Sequence, residues 1–130
     1  MKKKSVFSLL VFLVVSFAVS AVSADMIKIA VASDGKTAFS AVDIVAARSS
    51  GFLFFDGSGK FVEAINNPHK AVRGGAGPRV VNFLAQKGVN VIIAQSFGKK
   101  MGDAMKAKGI SHLEFKGNAG DAVRKYLEQK

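Results

Sequence analysis

From residue 60 onward the chain repeats one pattern, a short apolar strand-like run followed by a segment with helical spacing. Lys60–Asn66 precedes a helix with Pro78 in its first turn, Val89–Ala94 precedes a helix over Lys99–Lys108, and Ile110–Phe115 precedes a helix capped by Asn118. This alternation argues for a parallel portion of sheet whose strands are joined by right-handed helical crossovers. The first helix buries Val80, Val81, Phe83 and Leu84 and ends at Lys87-Gly88. The second turns Met101, Ala104 and Met105 inward, with Gly109 as its cap. The third has Asp121 three residues after its cap and buries Ala122, Val123, Tyr126 and Leu127.

Upstream, Met26–Ser33 reads as a mostly buried strand ended by Asp34-Gly35-Lys36. Gly51–Asp56 and Lys60–Asn66 flank Gly57-Ser58-Gly59, which predicts an antiparallel hairpin closed by Asn67-Pro68. Residues 37–49 are ambiguous: Ala38, Val42, Val45 and Ala46 have helix-like spacing, but β-branched residues oppose a helix. The expected architecture is one small mixed α/β sandwich with helices on both faces.

The N-terminus has a different character. Lys2-Lys3-Lys4 precedes a stretch in which 12 of the 14 residues from Val6 to Val19 are apolar, and Val22-Ser23-Ala24 leads to Asp25. A basic start, an apolar middle and a small-residue exit predict a secretory signal peptide over residues 1–24, leaving a single domain over 25–130 in the periplasm or outside the cell. The apolar run is shorter than the roughly 20 residues of a membrane span. No later segment is apolar enough to span, so no stable membrane span is expected after cleavage. Removing the three lysines lowers the net charge from +10 to +7, which favours anionic partners. The absence of Cys excludes disulfides, thiolate catalysis and Cys-ligated zinc or iron–sulfur centres.

Ligands of open α/β sheets bind outside the carboxyl ends of the parallel strands. The loops expected there are Ser33-Asp34-Gly35, residues 66–78 and Gln95-Ser96-Phe97-Gly98. In Arg73-Gly74-Gly75-Ala76-Gly77-Pro78-Arg79, the glycines can turn successive N–H groups toward a ligand. The following helix start and the two arginines favour an anion, although sharp turns alone would also use these glycines. The segment matches neither a Walker A loop nor a dinucleotide fingerprint. Ser96 is a candidate helix cap, with Lys99 and Lys100 beside it or simply solvated. His69 is a candidate metal or cluster contact, and His112 reads as a surface or core-edge residue. Two isolated histidines make no zinc site. No nucleophile–base pair or carboxylate pair is evident, so catalysis is not expected. The dispersed charge, without interleaved exposed aromatics, also argues against nucleic acid.

Taken in order, Ile27–Gly35, Arg48 with Phe52–Asp56, Asn67-Pro68 with Gly74-Gly75-Ala76-Gly77, Gly88–Ala94, Phe97-Gly98 and Gly109-Ile110 resemble the dinitrogenase iron–molybdenum cofactor biosynthesis family over nearly all of residues 26–129. The resemblance implies a three-layer ribonuclease-H-like fold. Its five-stranded mixed sheet has order 3-2-1-4-5 and an antiparallel second strand. It also implies binding or carriage of a metal–sulfur cofactor rather than catalysis. Many members carry His-Phe-Gly-Arg before the second strand, where this chain has Val45-Ala46-Ala47-Arg48. Many also carry His where this chain has Arg73. A cluster of iron–molybdenum or molybdenum type would therefore be held as a preformed anion. The pocket expected is Arg48, Arg73, Gly74, Gly75, Gly77 and Arg79, with His69 and Ser96 at its margin. The alternative is a structural or protein-interaction domain that keeps the fold without a ligand. Mass spectrometry of exported protein is expected to place the N-terminus at Asp25, and an N-terminus at Met1 would contradict cleavage.

Overall fold

The computed structural model describes residues 26–129; the expected signal peptide, residues 1–24, lies outside the described residues. The strands are β1 (Lys28–Ser33), β2 (Gly51–Asp56), β3 (Phe61–Asn66), β4 (Val91–Ala94) and β5 (Ser111–Glu114). The helices are α1 (Ala76–Gln86), α2 (Lys99–Ala107) and α3 (Ala119–Glu128), and a 3-10 turn spans Ala46–Arg48. One five-stranded sheet has the order β3-β2-β1-β4-β5. β2 is antiparallel to both its neighbours, whereas β1, β4 and β5 run parallel. The expected mixed sheet and strand order are therefore present.

The continuous apolar runs follow from burial on both faces. Ala30, Ala32, Phe52, Phe54 and Ile92 face α1 and α2 and pack with Val80, Val81, Leu84, Met101 and Met105. Ile29, Val31, Leu53, Phe55 and Ile93 face the other way and pack with Ala119, Ala122 and Val123 of α3. Successive strand side chains alternate sides, so each run splits into two cores. Ala30 lies opposite Phe54 and Ala32 opposite Phe52, which lets the small residues of β1 accommodate the rings of β2. Each buried ring contributes about 1.5–3 kcal/mol of hydrophobic stabilisation.

Residues 37–49 form bridges and turns, with no α-helix. Val42 inserts into the α3-side core. Its N–H donates to the Gly117 carbonyl (2.8 Å), and the Asp43 N–H donates to that of Ala32 (2.8 Å). Isolated bridges pair Ala41 with Asn118 and Val45 with Ser96. These long-range bonds take the backbone groups that a helix would use internally. α1 begins at Ala76, which leaves Pro78 in its first turn, where a missing N–H costs nothing. The Asn118 cap is present, its Oδ1 accepting from the Asp121 N–H at 2.8 Å. Among the described residues, no helix is long and apolar enough to cross a membrane.

Asp56 closes the hairpin: its Oδ1 accepts from the Ser58 hydroxyl (2.7 Å), the Ser58 N–H (2.9 Å) and the Lys60 N–H (3.0 Å). These bonds, led by the Ser58 hydroxyl, hold its carboxyl below the ordinary value of 3.8. A depressed folded-state pKa stabilises above the unfolded value and is lost as pH falls through the folded one. The stability difference between wild type and Asp56→Ala is expected to be full at pH 7 and to shrink as pH drops below 3.8, measured by urea unfolding across pH.

Candidate functional site

The carboxyl ends of β1, β3 and β4 deliver residues 34–45, 67–75 and 95–98 to one end of the sheet, where α1 and α2 also begin. The two helix starts touch. A Cβ placed on Gly77 would lie 2.7 Å from Met101 Cβ, 3.1 Å from its Cα and 3.2 Å from its backbone N. Only a hydrogen fits there, so glycine brings the first turn of α1 onto the first turn of α2. Neither helix carries a side-chain cap or an acidic residue in its first turn. The start of α3 differs, since Asn118 caps it and Asp121 lies in its first turn. The first N–H groups of an α-helix lack intrahelical partners and carry a partial positive charge. Two adjacent uncapped starts therefore make an anion-favouring surface.

Gly74 and Gly75 lead into α1 with φ of +66° and +69°, a left-handed backbone that L side chains rarely adopt. Nothing lies within 4 Å of where their Cβ atoms would stand, so this backbone is open to a ligand. Arg73 and Arg79 flank it and are exposed. Among the described residues, the ion pairs are Lys99–Asp103 and Asp121–Arg124, which leaves Arg73 and Arg79 without a carboxylate partner. Lys99 is engaged along its own helix, whereas Lys100 is exposed beside it.

The remaining expected site residues hold the scaffold. Arg48 Nη1 donates to the backbone carbonyls of Lys70 (3.0 Å) and Val72. The Ser96 hydroxyl donates to the Ile44 carbonyl at 2.8 Å. The residue at the start of α2 is Gly98, with no side-chain cap, so the expected Ser96 cap is not formed; the loop over residues 41–46 has taken its hydroxyl. His69 lies edge-on to Phe83, with ring centroids 5.9 Å apart, and so sits along the flank of α1. The exposed His112 packs similarly on Phe97, at 5.1 Å. Gly77 serves the site through helix contact.

Two contributors were not expected from sequence. Asn67 is only 7% exposed, and its Nδ2 donates to the carbonyls of Ala47 (3.1 Å) and Ser49 (2.9 Å). Its Oδ1 accepts from the His69 N–H at 2.9 Å. Lys70 Nζ donates to the Ser50 hydroxyl at 2.8 Å. The available signal was an Asn before Pro, a residue type that bonds its own following backbone. Asp34 is held below its ordinary pKa first by the Ser50 hydroxyl and then by the Ser50 N–H, with help from Asp43 and Lys70.

Two cavities contrast with this surface. One of about 330 Å³ beside β1 is lined by Asp34 and Asp43, whose carboxylates repel anions. A groove of about 490 Å³ lies between α3 and the β2–β3 hairpin, lined by Phe39, Phe55, Phe61, Val123 and Leu127, next to the capped start of α3. The anion-favouring chemistry lies instead at the starts of α1 and α2.

Sheet order, adjacent helix starts and an open glycine loop define a small three-layer α/β domain. The family model described as dinitrogenase iron–molybdenum cofactor matches residues 26–129, and the chain belongs to that family. Among solved structures, it is similar to the apo form of the orange protein from Desulfovibrio gigas, with 27% identity, 78% of this chain and 88% of that chain covered, and a TM-score of 0.73. It is also similar to a NifB-like protein from Thermotoga, with 30% identity, coverage of 79% and 88%, and a TM-score of 0.65. A dinitrogenase-like protein from Methanocaldococcus jannaschii, 12% identical with coverage of 78% and 88% and a TM-score of 0.51, shares the fold. No curated protein matches the chain.

The helix contact gives a direct stability test. Gly77→Ala is expected to cost about 1–3 kcal/mol, the usual penalty of overpacking. Gly98→Ala, where nothing lies within 4 Å, is expected to stay within about 0.5 kcal/mol of wild type in urea unfolding.

Proposed function

We propose that this domain binds and carries a preformed anionic metal–sulfur cofactor, of iron–molybdenum or molybdenum type, as cargo rather than for catalysis. The observation that carries this reading is the pair of uncapped helix starts pressed together at Gly77 and Met101. An anion seated there would meet free N–H groups from both helices and the open backbone of Gly74 and Gly75. Arg73 and Arg79 would add charge-assisted hydrogen bonds from the rim. Family membership supports a cofactor as the anion.

The donor set fits a preformed cluster better than a bare metal ion. The chain has no Cys and two His. Among the described residues, no group of three or more His, Cys, Asp or Glu is arranged to hold a metal ion. A cluster that brings its own sulfide ligands needs only charge and hydrogen bonds from the protein. We further propose that the protein works outside the cytoplasm; Lys2-Lys3-Lys4 and the apolar run from Val6 to Val19 support this.

Titration of purified protein with tetrathiomolybdate, followed by visible absorption, tests the binding. Uptake is expected at low salt and should weaken as salt rises, because the arginines are exposed. Arg73→Ala and Arg79→Ala are each expected to weaken binding by about tenfold, the lower end for a hydrogen bond to a charged group. Protein that takes up neither tetrathiomolybdate nor an iron–sulfur cluster contradicts the reading. It would leave a structural or protein-interaction domain that keeps the fold.

A further inference from the structure

We infer that Arg48 is a positioning residue for the anion surface, acting from behind the loop and never touching the ligand; this rests on the binding function proposed above. Arg48 ends the short 3-10 turn Ala46–Arg48 that precedes β2. The structure gives that arginine a specific task. Arg48 Nη1 donates to two carbonyls of the following loop, those of Lys70 and Val72. The second carbonyl lies immediately before Arg73, and Gly74 and Gly75 follow.

Neighbouring bonds strengthen the clamp. Asn67 ties the start of the loop to the carbonyls of Ala47 and Ser49, on either side of Arg48. Lys70 Nζ reaches the Ser50 hydroxyl, and the Ser50 N–H donates to Asp34 Oδ1 at 3.3 Å. Residues 67–72 are thereby fastened to residues 46–50. Beyond Val72 the chain enters two left-handed glycines with nothing within 4 Å of where a Cβ would stand. Glycine loses more conformational freedom on ordering than any other residue. The open backbone thus depends on its two anchored ends, the Arg48 clamp on one side and α1 on the other. A guanidinium whose Nη1 serves two carbonyls orders the loop before the ligand arrives, which lowers the entropy cost of binding.

The test combines backbone dynamics of the unliganded protein with affinity for tetrathiomolybdate in wild type, Arg48→Ala and Arg48→Gln. Arg48 is exposed, so both variants are expected to fold with melting temperatures near wild type. In the unliganded variants, the NMR order parameters of residues 70–77 are expected to fall while those of β1, β2 and β4 stay unchanged. Affinity is expected to drop about tenfold, equivalent to ordering roughly one further residue on binding. Weaker binding with unchanged loop order parameters would overturn the inference and make Arg48 a direct contact. A loosened loop with unchanged affinity would also overturn it. If wild type fails to bind, the functional reading falls and the positioning role falls with it; the order parameters alone then report whether the clamp exists.

Discussion

One close helix contact organises the end of the sheet where α1 and α2 begin. Gly77 approaches Met101 so closely that an added Cβ would lie 2.7 Å from the Met101 Cβ. Two helix starts that would otherwise stand a side chain apart are pressed together. The helices remain in register with the sheet because Val80, Val81 and Leu84 of α1 and Met101 and Met105 of α2 share one core. Their uncapped starts consequently lie side by side. Electrostatic surfaces of this kind depend on geometry fixed in advance, since a flexible donor must lose entropy to act.

The sheet supplies the frame that makes this possible. Parallel pairing of β1 with β4 sends the loops that follow them to the same end. β3 also runs toward that end, because β2 is antiparallel to both its neighbours. The loop after β3 carries the glycines, the loop after β4 leads into α2, and the loop after β1 bonds to Gln95 and Ser96 of the loop after β4. Ser96 and Arg48 contribute hydrogen bonds to backbone carbonyls within this frame. The charged groups then divide by location. Asp34 and Asp43 line the β1 side, whereas the exposed Arg73, Arg79 and Lys100 lie around the helix starts.

Much of the fold could be read from the sequence because burial on both sheet faces leaves continuous apolar runs, as in Phe52–Phe55 and Val91–Ala94. The Asn118 cap was readable because its chemistry is local. Residues 37–49 were not, since their backbone bonds reach Ala32, Ser96 and Gly117, and spacing along the chain does not encode such partners. The site was readable as a set of residue types but not as a set of roles. Arg48 and Arg73 look equivalent in the sequence, yet one donates to loop carbonyls and the other is exposed without a carboxylate partner. Gly77 resembles its neighbours Gly74 and Gly75, although its constraint is contact with α2 and theirs is a left-handed backbone.

On the reading proposed above, the starts of α1 and α2 act together as one anion-binding surface. Amide chemical shifts followed during titration of isotope-labelled protein with tetrathiomolybdate test it most directly. The amides of Gly74–Gly77 and of Lys99–Met101 are expected to move together and saturate at one concentration. Shifts confined to the α3 groove around Phe39 and Asp121, or movement at one helix start without the other, would contradict it.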